Sequence, residues 1–184
     1  MKAIASLPIA ADQKLTLGFL LPGEGGPVAT VGEYEFYWQI RTDAYRTPPP
    51  ELSEVLVRSI ASYFGLGASV DRPDIVVYSS RTQTVVALAE VKWFSNDENA
   101  RSILFEAIQQ VVRYARGYRF ADDVSLMLDT CLIALASSRD ITIPLSRQPG
   151  IPFLLDAEGV LAGRTSTWAS YVVSIYESEL ATVL

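Results

Sequence analysis

The chain has 184 residues, enough for one domain with a real core, and its 49% hydrophobic and 20% charged residues are those of an ordinary globular protein. It holds no histidine and one cysteine, which excludes Ser-His-Asp and Cys-His catalysis, histidine-ligated zinc, and cysteine-rich zinc or iron–sulfur sites. Hard chemistry must then run on carboxylates, lysine or hydroxyls, with an oxygen-preferring cation such as magnesium or manganese.

The formal net charge of −6 and the pI near 4.7 run against a surface that grips phosphates broadly. A nucleic-acid surface would have to be local, or completed by a partner. No stretch approaches the roughly 20 apolar residues that span a bilayer, so no membrane association is expected. The first eleven residues are too short and too weakly patterned for a signal peptide. The expectation is a single domain in the cytoplasm, with Cys131 buried as a small residue in the apolar run TCLIALA.

In chain order, the first 46 residues form a β-rich extension. Lys14–Leu21 alternates in part, PGEGG at 22–26 is a turn, and Glu33–Arg41 (EYEFYWQIR) is aromatic and strand-like. Pro48–Pro50 then stop the strand and open a helix over Glu51–Phe64. Along it, Leu52, Val55, Leu56, Ile60 and Tyr63 recur at helical spacing, and Gly65 ends it.

A hairpin follows. Asp74–Tyr78 is one strand, SSRTQ at 79–83 the turn, and Thr84–Trp93 a longer strand that is apolar on both faces until Glu90, as in the middle of a sheet. A second helix runs from about Glu98 to Tyr118, Leu128–Ala136 reads as a buried strand, AEG at 157–159 as a β-turn, and Ser166–Leu180 as a final helix. This order describes an α/β fold, a mixed central sheet flanked by helices.

Side chains alternate along a strand, so Val86, Leu88, Glu90 and Lys92 are expected on one face and Ala87, Ala89 and Val91 on the other. Two charges at the end of an apolar strand are costly unless paired. Asp74 opens the neighbouring strand just after Pro73, and a short turn brings it beside Glu90. Two adjacent carboxylates repel unless a cation sits between them. A buried ion pair closing the sheet end is the plainer account, but one lysine would then have to offset two carboxylates.

Pro73-Asp74 followed by Glu90-Val91-Lys92 on the next strand resembles the signature of the PD-(D/E)xK nuclease superfamily, and the likeness covers roughly residues 51–136. It implies a restriction-endonuclease-like fold. It further implies that Asp74, Glu90 and the Val91 carbonyl bind magnesium or manganese, and that Lys92 orients or activates the attacking water. Phosphodiester hydrolysis needs a polarised phosphoryl oxygen, an activated water and positive charge at the pentavalent centre, and this residue set supplies all three without an imidazole.

Gln110 and Tyr114 form a Q-x-x-x-Y spacing that resembles the RecB-like members, and they share one helical face. Gln110 is expected to bond Lys92, the water or a substrate phosphate. Family members often carry an acidic residue on the preceding helix, and here Glu51 fits the border of the apolar stripe better than Glu54. Arg113, Arg116 and Arg119 lie at helical spacing as phosphate contacts or as a solvated face. The aromatics Tyr34, Phe36, Tyr37 and Trp38 read as sheet packing or a dimer surface. The function expected is metal-dependent phosphodiester hydrolysis in DNA; the alternative is a non-catalytic or partner-dependent binding or assembly module on the same scaffold, as a homodimer or with another protein.

Overall fold

The computed structural model describes residues 15–17, 26–39, 52–65, 73–95, 99–117, 128–138, 141, 143 and 148–183, with side chains described for all of these but 15–17, 52–54, 57–58, 61, 117 and 178–183. Among the described residues seven strands form one sheet in chain order: β1 (Leu15–Leu17), β2 (Ala29–Val31), β3 (Tyr34–Trp38), β4 (Ile75–Ser79), β5 (Thr84–Lys92), β6 (Leu132–Leu135) and β7 (Phe153–Asp156). The pairs from β1 to β5 are antiparallel, whereas β6 and β7 join parallel to β5. The described residues also form four helices: α1 (Leu52–Tyr63), α2 (Ala100–Gly117), α3 (Ala157–Leu161) and α4 (Thr165–Val183). The molecule is thus an α/β protein with a mixed sheet and helices at its flanks.

β5 sits inside the sheet, and every residue from Val85 to Glu90 is buried. On one face, Val76, Leu88, Ile133 and Leu135 pack against Ala107, Val111 and Tyr114 of α2. On the other, Phe36, Val77, Ala87 and Leu132 pack against Trp168, Val172 and Tyr176 of α4. Each large side chain so buried contributes about 1.5–3 kcal/mol, which is what seats the two helices. Cys131 is buried in the α2-side core, and burial pushes its thiol far above the ordinary range.

One alternation differs from expectation. Val77 pairs with Ala87, but Tyr78 pairs with Val85, so Val86 is an extra residue opposite no partner, a β-bulge. Val85 and Leu88 therefore share the α2 face, while Val86 joins Ala87 on the α4 face. Regular alternation resumes after the bulge, and Leu88, Glu90 and Lys92 follow one another on the α2 side.

The turn expected at 157–159 is instead the start of α3. Asp156 caps it, its Oδ1 accepting the Gly159 N–H at 2.7 Å. The four residues of β7, FLLD, carry too little periodicity to announce a strand. The strand read from Leu128 starts only at Leu132, because residues 128–130 form a helical turn. Trp168 of α4 is anchored there, its Nε1 donating to the Thr130 carbonyl at 2.7 Å.

Gly65 does end the α1 segment, with φ of +67°. The described members of the α1 stripe, Val55, Leu56, Ile60 and Tyr63, are exposed. Among the described residues no helix is long and apolar enough to cross a membrane.

At the β4–β5 turn a chain of hydroxyls ties α4 to the sheet. Ser79, fully buried, bonds the Tyr176 hydroxyl at 2.7 Å, and Tyr176 donates to Thr82. Tyr176→Phe would keep the edge-to-face contact with Tyr34 but strip Ser79 of this partner. The expected loss is about 1–3 kcal/mol of unfolding free energy, read in urea as a lower midpoint at unchanged slope; an unchanged midpoint would show the hydroxyl chain to be inert.

Candidate active site

The β4–β5 register decides the site. Ile75 pairs with Ala89, so continuing by one residue sets Asp74 opposite Glu90. Both lie at the end of β5 where the sheet changes from antiparallel to parallel.

Asp74 is fixed from two sides. Its Oδ2 accepts the Val91 backbone N–H at 2.7 Å, and its Oδ1 accepts from Gln39 Nε2 at 3.4 Å. A residue's N–H and C=O point to the same edge of its strand, so the Val91 carbonyl also faces the Asp74 side, away from β6. Lys92 C=O turns the other way and accepts from Ala136 N–H at 2.9 Å.

Glu90 is 5% exposed. Lys92 Nζ stands 3.2 Å from its Oε1, while Oε2 is buried without a hydrogen-bond partner among the described residues. Burial first and the Asp74 charge second push the Glu90 carboxyl above the usual glutamate range, and the Lys92 ammonium and the Asp74 backbone N–H only partly oppose them. A buried oxygen left over, beside a second carboxylate and a strand carbonyl, is the donor set of a hard divalent cation. Among the described residues no three acidic, His or Cys side chains gather to hold a metal by themselves. A cation here would therefore depend on Asp74, Glu90 and the Val91 carbonyl together.

The structure thus brings together Asp74, Glu90, Val91 and Lys92. Gln110 reaches them through an intermediary: its Nε2 donates to Glu106 Oε1 at 3.4 Å, and that same oxygen lies 3.3 Å from Lys92 Nζ. Gln110 Oε1 is buried without a partner among the described residues. Tyr114 is buried in the core between α2 and the sheet, with the Arg113 guanidinium 5.4 Å from its ring centre. Arg116 is half-buried in the last turn of α2. Glu51 lies outside the described residues, as do Arg119 and the side chain of Glu54.

Two residues at the site escaped the sequence reading. Gln39 directly follows β3, and only the β3–β4 pairing puts it beside Asp74; its backbone N–H also bonds the Asp74 carbonyl at 3.1 Å. It holds a left-handed φ of 48°, which costs a non-glycine residue about 1–2 kcal/mol. Glu106 had a usable signal, since it precedes Gln110 by one helical repeat of four and so shares its face.

A carboxyl whose pKa is higher folded than unfolded binds its proton more readily in the native state. Its stabilisation is complete below the ordinary glutamate range and is lost as pH rises through the raised value. Without metal, the wild type is therefore expected to lose thermal stability over that window, and Glu90→Gln to lose less and be the more stable at neutral pH. Parallel melting curves for the two proteins across the window would contradict this.

No protein-family model, curated protein or solved structure matches the chain.

Proposed function

We propose that this chain is a metal-dependent nuclease of the PD-(D/E)xK type with a restriction-endonuclease-like fold, hydrolysing phosphodiester bonds in DNA. The observation that carries the reading is Asp74 opposite Glu90, with one Glu90 oxygen buried and unpartnered and the Lys92 ammonium at its side. Asp74, Glu90 and the Val91 carbonyl would hold magnesium or manganese. The bound ion supplies polarisation of a phosphoryl oxygen and a more acidic water.

The residues do the rest. Lys92 holds the attacking water in line and offsets charge developing on the phosphorus oxygens. The Val91 N–H and Gln39 keep Asp74 aimed at the cation while leaving lone pairs on both of its oxygens. Gln110 keeps its carbonyl oxygen for a water or a substrate group, and Arg113 and Arg116 extend the surface along α2 toward phosphates. Such an enzyme works in the cytoplasm, where Cys131 stays reduced.

A second reading, a binding or assembly module on the same scaffold, draws on the net charge of −6 and on the exposed apolar residues of α1 and α2, among them Leu56, Ile60, Phe105 and Ile108. One assay separates the two: linear, circular and single-stranded DNA with magnesium or manganese, wild type beside Asp74→Ala, Glu90→Ala and Lys92→Met. The nuclease reading expects cleavage by wild type alone, with each variant down by about 10²–10³-fold or more. Metal-dependent cleavage that survives Asp74→Ala would refute it. No cleavage by any of them, with no effect of metal on melting, would favour the assembly module.

A further inference from the structure

Lys92 is shared. Its ammonium lies 3.2 Å from Glu90 Oε1 and 3.3 Å from Glu106 Oε1, so two carboxylates on different elements compete for one cation. Glu90 is nearly enclosed on β5, with 6% of its side chain exposed, whereas Glu106 is 60% exposed on α2. α2 cannot drift, because Ala107 next to Glu106 and Val111 a turn later are fully buried against the sheet. Gln110 holds Glu106 from the following turn.

Resting on the proposed metal site, we infer that Glu106 is the positioning residue for Lys92: it keeps the lysine in place when Glu90 is given over to a divalent cation. The electrostatics require some such group. With a cation between Asp74 and Glu90, the Glu90 carboxylate no longer offers Lys92 a free negative charge, and the added positive charge repels the ammonium. A lysine with no second anion would swing to solvent on its flexible stem. Glu106 gives it one at hydrogen-bonding range, from a different element. By accepting Lys92, Glu106 also frees Glu90 for the cation, so it favours metal binding without touching the metal.

The test is titration of the full chain with Mn²⁺, followed by calorimetry and by the rise in melting temperature, in wild type, Glu106→Gln, Lys92→Gln and the double variant. Glu106 is exposed, so Glu106→Gln is expected to melt close to wild type without metal. It should bind Mn²⁺ roughly tenfold more weakly, the scale of one coupled neighbouring charge. In the Lys92→Gln background the same substitution should change nothing further, because Glu106 acts through Lys92. Undiminished Mn²⁺ affinity in Glu106→Gln overturns the inference. So does an equal loss in the Lys92→Gln background, which would mean that Glu106 acts on the cation by its own charge. Absence of Mn²⁺ binding by wild type, unaltered in Asp74→Asn, would overturn the metal site itself and this inference with it, and it shows before any change at Glu106.

Discussion

Glu90 is a carboxylate held out of water directly opposite a second carboxylate, near the end of a strand whose five preceding residues, Val85 to Ala89, are all apolar and buried. An unpaired charge in such a place costs several kcal/mol, and among the described residues the fold supplies only one direct counter-charge, Lys92. The surrounding elements deepen that deficit or hold its members in place. β4 delivers Asp74 but ties it down with the Val91 N–H. β3 reaches across with Gln39. α2 contributes Glu106, which adds yet more negative charge to the neighbourhood of a single lysine. Among the described residues the cluster is short of positive charge, and that imbalance is what the proposed metal site rests on.

The two faces of the sheet divide the labour. The α4 face is a packing face: Trp168 and Tyr176 are locked by hydrogen bonds to Thr130 and Ser79, and the interior there is apolar. The α2 face is apolar as far as Leu88 and then turns polar at Glu90, Lys92 and Gln110. A rigid seat on one side allows the other side to hold groups that are costly to bury. The strain at Gln39 and the raised carboxyl of Glu90 both sit at this polar end, where stored cost is commonly found next to function.

Much of this was legible in the chain. The hairpin, the α2 helix and the juxtaposition of Asp74 with Glu90 follow from period, turn residues and a short connection, all of them local signals. What stayed hidden is non-local or too brief. Gln39 belongs to the site only through the pairing of β3 with β4, which no nearby residue encodes. β7 is three apolar residues and Asp156, and AEG resembles a turn until the Asp156 cap makes it a helix. The α1 stripe at Leu56 and Ile60 has helical spacing, as read, yet spacing alone says nothing of what it meets, and these side chains are exposed.

The bulge at Val86 has a bearing on how this site tolerates change in length. A strand has only two sides, so adding or removing one residue reverses the side taken by everything beyond it. β5 carries one residue more than β4 can match, and the surplus is absorbed at Val86. A chain lacking that residue would restore simple alternation and still turn Glu90 and Lys92 toward α2. A gain or loss of one residue between Ala87 and Glu90 would instead swing the carboxylate to the α4 side, away from Asp74, Glu106 and Gln110. Within this strand, then, parity is the quantity under constraint, and Val86 marks a place where one residue can be lost without reversing it.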